Sequence, residues 1–170
     1  MYAVGDKVVH PGYGPGIIKL IEHRQVIGEA KRYYVIEMQT GGGTLMTPVA
    51  GADDVGLRPA VTMTVVTRLF ESLAAHPQVL ASDFRERQDE IEERLKTSDV
   101  FVVTEVIRDL AWHEASNGLT KRDAQLKQRA EELLAAEVAL VKEIDQKEAL
   151  EEIQMAVGEA IRQAKAKDEA

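Results

Sequence analysis

Two kinds of hydrophobic pattern divide the chain near Pro59. Before it, apolar positions come in short alternating or β-branched runs cut by glycine and proline; after it, they recur every three or four residues. Val8-Val9 opens a strand that Pro11 must end, because proline donates no ladder hydrogen bond. Gly12, Gly14 and Gly16 interleave with Tyr13 and Pro15 and let the backbone turn through φ values closed to other residues. The runs 17–26 and 31–39 predict two strands joined by Ile27-Gly28-Glu29-Ala30. Both faces of the second contain apolar residues, Tyr34, Ile36 and Met38 on one and Tyr33 and Val35 on the other, so it is covered in part on both sides. Gly41-Gly42-Gly43 makes a turn, Thr44-Leu45-Met46-Thr47 a further strand ended by Pro48, and Asp53–Pro59 a closing turn.

Helical spacing follows. Val65, Val66, Leu69, Phe70 and Leu73 form one stripe, which His76-Pro77 stops. A much more charged segment, from about Asp83 to Lys96, has only Phe84, Ile91 and Leu95 as sizeable apolar residues. A third helix is expected from Ser98 as N-cap, with Val100, Phe101, Val103, Val106, Ile107 and Leu110 inward and a left-handed cap at Asn117-Gly118. Thr120 with Asp123 three residues later, after Leu119 as staple, begins a fourth. The last starts near Asp145 and uses Leu150, Ile153, Val157 and Ile161. The prediction is an α+β chain of two domains: a small SH3- or Tudor-like β-barrel over 1–59 and a compact all-α bundle of about five helices over 60–170.

Composition narrows the function. There is no cysteine, which excludes disulfides, thiolate metal sites and cysteine nucleophiles. No apolar run reaches the length of a membrane span and no signal peptide follows Met1, so a soluble cytoplasmic protein is expected. The net charge of −8 is unevenly held: residues 1–60 carry six bases and six acids, and the rest carries 15 bases against 23 acids. An acidic helical half argues against unaided, tight DNA binding, which depends on cations neutralising phosphates.

Candidate chemistry is sparse. His10, His23, His76 and His113 share no metal-ligand spacing, and the triple glycine lacks the lysine and helix start of a phosphate loop. The acid pairs Glu92-Glu93, Glu131-Glu132 and Glu151-Glu152 read as solvated helix faces. Nothing favours an enzyme. Phe84 stands out, flanked by Arg85 and Arg87 on the most polar helix. It is either an ordinary core residue at one end of the bundle or an exposed apolar wedge beside guanidinium groups, the combination that unstacks a base step from the minor groove. Arg24 is either a solvent-facing charge or an interface anchor.

Val4–Val9, Pro11, Gly14, Gly28, Tyr33-Tyr34-Val35, Pro48 and Val55–Arg58 resemble the CarD/CdnL family of bacterial transcription regulators. Ser98-Asp99-Val100, Glu105–Leu110 and Gly118-Leu119-Thr120 extend the resemblance over about the whole chain. The β half alone is also similar to the polymerase-binding module of the transcription-repair coupling factor. The resemblance implies that the barrel binds the β subunit of RNA polymerase by adding its sheet edge to the polymerase strands. It implies that the helical domain reaches promoter DNA at the upstream edge of the melted bubble through an aromatic wedge, stabilising the open complex without cofactor or catalytic step. A monomer is expected. Arg24 falls where the family has an interface arginine, and Met46, beside Leu45, where it has a second. Phe84 falls at the family's tryptophan wedge, with Arg85, Arg87, Lys121 and Arg122 as its expected DNA contacts. The run Arg85–Glu90 is less basic than the family's, and Ala124-Gln125 replaces a Lys-Arg pair. The competing expectation is an adaptor docked on polymerase, whose acidic bundle recruits another protein rather than DNA.

Overall fold

The computed structural model describes residues 1–170, apart from the side chain of Val26. Five strands, β1 (Lys7–His10), β2 (Gly14–Val26), β3 (Glu29–Met38), β4 (Thr44–Pro48) and β5 (Arg58–Pro59), form one antiparallel sheet in the order β4-β3-β2-β1-β5. Five helices follow: α1 (Met63–Ala74), α2 (Phe84–Leu95), α3 (Val100–Asn117), α4 (Lys121–Lys142) and α5 (Gln146–Asp168). This is the α+β architecture of a Tudor-like sheet followed by a helical bundle. The sheet curls around Val8, Ile18, Tyr34, Ile36, Met38, Ala52 and Leu57, and its ladder stays open between β4 and β5.

The local chemistry differs in places from the sequence pattern. The β2–β3 connection is a two-residue turn, with Ile27 at φ 38° and Gly28 at φ 93°, so Glu29 and Ala30 already belong to a strand. Gly14 does use a positive φ of 83°, but Gly16 is there for space. A Cβ at Gly16 would lie 2.6 Å from Ile36 Cγ2 and 2.7 Å from the Glu37 carbonyl oxygen. In the bundle, Asp99 rather than Ser98 caps α3, accepting from the Phe101 amide at 2.8 Å; Ser98 instead takes a positive φ of 56°. Gly118 has φ 75° but an extended ψ of 174°, so the chain leaves α3 extended rather than through a left-handed cap. Phe101 is 38% exposed, since it follows the cap on the outer side of the first turn. Glu131 is buried, paired with Lys127 at 3.6 Å and accepting from Gln154, not solvated.

The Thr120–Asp123 capping box of α4 is present, and Asp145 caps α5. Val66, Leu69, Ile91, Ile107, Leu110, Leu126, Leu134 and Ile153 build a bundle core separate from that of the sheet. Among the described residues no helix is long and apolar enough to cross a membrane.

Candidate functional site

The outer face of the sheet is one exposed surface. Strand alternation sends Ile36 and Tyr34 into the core and leaves Val35 and Tyr33 outside. Across the strands Leu20 stands opposite Val35 and Val35 opposite Met46, giving an apolar row over β2, β3 and β4, with Leu20 43% exposed. Pro48, Tyr33 and Glu22 form the next row, and Lys31 and Arg24 the one beyond. Arg24 is exposed, its Nε donating to Glu22 Oε1. Met46 therefore shares the outer face with Arg24. Leu45, expected with it at the interface, is opposite Ile36 and packs against the sheet core, because adjacent strand residues point to opposite faces. β4 is an edge strand and stops opposite Tyr33, so residues 29–31 of β3 carry no neighbour on that side. A groove lined by Lys31, Arg32, Tyr33, Pro48 and Val49 runs along this edge.

At the other end of the molecule, Phe84 is the first residue of α2. Asp83 caps that helix by accepting from the Arg85 and Glu86 amides, both at 3.0 Å. The reading of Phe84 as a core residue fails, because 48% of it is exposed. The Arg85 guanidinium carbon lies 5.5 Å from the Phe84 ring centroid, a cation–π contact on the surface. A shallow hollow beside the ring is lined by Val79, Leu80, His113, Leu119 and Thr120, and Val79 is fully exposed at 99%. Lys121 and Arg122 follow Thr120 as the first residues of α4, both exposed. Arg122 is tied to Glu92 by an ion pair. His113 is held below the usual histidine pKa, first by burial and then by the charge of Arg87, so it adds no cation to the rim at neutral pH.

Arg87 does something other than expected. It is 4% exposed, with Nη2 donating to Asp123 Oδ2 at 2.7 Å and Nε to Asp123 Oδ1 at 3.2 Å. Nη1 donates to the carbonyl oxygens of Ala81 and Ser82 at 3.0 and 3.2 Å. Four of its five N–H groups are engaged inside the protein and the side chain is buried, so Arg87 is withdrawn from the DNA-contacting set. Helical phase puts Arg87 one turn after Phe84 on the side of α2 that carries the buried Ile91 and Leu95; Phe84 shares that side but, as the first residue of the helix, stays half exposed, while Arg85 turns outward. The outer stripe of α2 then continues as Glu86, Asp89, Glu90 and Glu93, all exposed and all acidic.

Asp123 collects several donors at once. Burial by itself would raise its pKa, but hydrogen bonds from Arg87, from the Thr120 amide and hydroxyl and from Gln88 outweigh this and hold it down at about 2. A second buried acid, Asp109, accepts from the Gln78 amide at 3.0 Å and pairs with Arg108 at 2.9 Å and Arg94 at 3.4 Å. Asp109 thus holds the middle of the connector between α1 and α2, and Arg87 the end that delivers Phe84. The sequence reading missed these networks. Thr120–Asp123 was legible as a cap, but the second partner of a capping carboxylate leaves no local trace.

Residues 2–61 match the family model described as CarD-like/TRCF RID domain, and residues 68–154 match that described as CarD, C-terminal domain. The chain belongs to the CarD family of transcription factors. A relative from Bacillus subtilis (strain 168), named "Putative transcription factor YdeB", is 26% identical over 148 residues, covering 87% of this chain and 97% of that protein.

Proposed function

We propose that this transcription regulator docks on the β subunit of RNA polymerase through the outer face and open edge of β2–β4. From there it sets Phe84 against promoter DNA at the upstream edge of the melted bubble. Polymerase supplies the affinity; the bundle adds a contact that the closed promoter lacks, and only that difference shifts the population toward the open complex. The observation that carries the reading is the half-exposed Phe84 ring under Arg85 at the start of α2, with exposed Lys121 and Arg122 at the start of α4, the helix bonded to α2 through Arg87 and Asp123. A phenyl ring keeps the stacking face that a minor-groove wedge needs. The unpaired edge of β3 and β4 is suited to strand addition, with Arg24 and the Leu20–Val35–Met46 row supplying side-chain contacts.

The acidic stripe of α2 supports a second reading, in which the docked protein recruits a basic partner through Glu86, Asp89, Glu90 and Glu93. Open-complex lifetime with the cognate polymerase separates the two. On the first reading wild type lengthens the lifetime, Phe84→Ala returns it toward baseline with polymerase binding intact, and Arg24→Glu loses polymerase binding by roughly tenfold or more while staying folded. A lifetime indifferent to wild type and Phe84→Ala alike, with polymerase bound, would select the adaptor.

A further inference from the structure

The two domains have separate hydrophobic cores, and no residue belongs to both. Where they meet, α4 lies against β1 and β2. A hollow of about 210 Å³ remains there, lined by residues such as Val9, Pro11, Leu95, Val100 and Leu133. Among the described residues two ion pairs join the domains: Lys7 of β1 with the exposed Glu143 at 3.3 Å, and the more buried Arg58 with Glu137. Arg58 of β5 donates from Nη1 to Glu137 Oε1 at 2.8 Å and from Nη2 to Oε2 at 2.9 Å, a two-pronged pair with Glu137 only 3% exposed. Glu137 Oε1 also accepts from the Val61 amide at 3.0 Å, on the segment between the last strand and the first helix. Arg58 reaches the Ser98 carbonyl oxygen at 3.5 Å as well. One carboxylate on α4 thus grips the final strand and the linker together. Its hydrogen bond holds the Arg58 guanidinium charged, with its pKa raised further, against a burial that opposes it. The pair joins residues matched by the two separate family models.

Asp123 and Glu137 lie fourteen positions apart on the same helix. At an α-helical rise and turn they stand ~21 Å apart along the axis and within about 40° of one face. One end of α4 is therefore bonded to the helix that carries Phe84, the other to the sheet.

We propose that α4 is a strut, and that Glu137 is a positioning residue: its pair with Arg58 fixes the tip of the bundle relative to the sheet, so that docking the sheet places Phe84. The functional half of this inference rests on the polymerase and promoter reading above. An unpinned bundle would still carry its wedge, but would spread it over many placements, and the ordering cost would fall on the open complex.

The test uses Glu137→Ala, and independently Arg58→Ala, which lies in the other domain and outside both cores. Because the chain has no cysteine, Asp54→Cys and Glu90→Cys can be spin-labelled in each background and the interdomain distance distribution measured by double electron–electron resonance. Both variants are expected to broaden that distribution while circular dichroism keeps the wild-type strand and helix content. In the unlabelled proteins, both are expected to bind polymerase as tightly as wild type and to lose its gain in open-complex lifetime. A distribution as narrow as wild type in both variants overturns the clamp. A broadened distribution with the full lifetime gain overturns the positioning role. If wild type itself gives no lifetime gain, the promoter reading fails, and the distance distributions alone decide whether the clamp exists.

Discussion

The outer sheet face and the tip of the bundle are both exposed, but different forces hold them in shape. On the sheet, Leu20, Val35 and Met46 are placed by the backbone ladder itself, and no buried charge takes part. At the tip, Phe84 is placed by side chains: Arg87 and Asp123 below it, and Asp109 at the middle of the connector. A ladder distributes its hydrogen bonds over many residues, so a surface built on it tolerates single changes. A tip built on two buried carboxylates does not, and residues that touch no partner can displace it.

The largest expected contrast is in stability. Arg87→Ala or Asp123→Ala leaves the other charge buried and unpaired, at a cost of about 3–5 kcal/mol in urea unfolding. Arg24→Ala and Met46→Ala on the sheet face are expected to stay within about 0.5 kcal/mol of wild type, the usual range for surface substitutions. Equal losses at both places would erase the distinction.

Acid sharpens the same contrast. The Asp123 carboxyl is depressed from 3.8 to about 2 in the folded chain. Its stabilisation is therefore complete above the unfolded pKa and lost as pH falls through the folded one, which sets the window at about pH 4 to 2. The shift is equivalent to about 2 kcal/mol, and stability measured across that window should fall by that much more in wild type than in Asp123→Asn. Identical acid profiles for the two proteins would mean that the carboxylate is not held as the geometry implies.

How much of this was legible beforehand divides along the same line. The ladder is a local matter of period two, turn glycines and prolines, and the strands and the outward placement of Met46 and Val35 follow from alternation. Leu45 was misassigned although the same alternation, applied one residue back, would have turned it inward. Helix existence was equally plain from spacing, and Thr120 and Asp123 announce their cap. Arg87 was not readable as buried. Phe84, Ile91 and Leu95 mark the inward side of α2 and Arg87 flanks it, but a guanidinium there reads as reaching out to solvent until its partner, thirty-six positions away, is brought across. Glu137 escaped notice for the same reason, since an acid amid Ala135, Ala136, Val138 and Ala139 declares burial only once the Arg58 it answers is brought across from the sheet. Long-range charge pairing has no period, and sequence reading works by period.

The smallest effect bears most directly on whether the tip meets DNA at all. With Arg87 internal and Arg122 paired to Glu92, Arg85 against the Phe84 ring and Lys121 at the start of α4 are cations that make no ion pair among the described residues. A phosphate contact by Lys121 releases about one counterion, so Lys121→Ala should flatten the slope of log affinity against log salt by about 0.9 for the polymerase–promoter–protein complex. Arg122→Ala should change it less, because Glu92 already offsets that charge, and Glu92→Gln should steepen the slope by freeing Arg122. The ordering matters more than any single value. If Lys121→Ala leaves the slope unchanged while Glu86→Gln or Glu90→Gln alters it, the acidic stripe is the surface in contact. The tip would then face a basic protein, with Phe84 as the apolar centre of that interface rather than a wedge between bases.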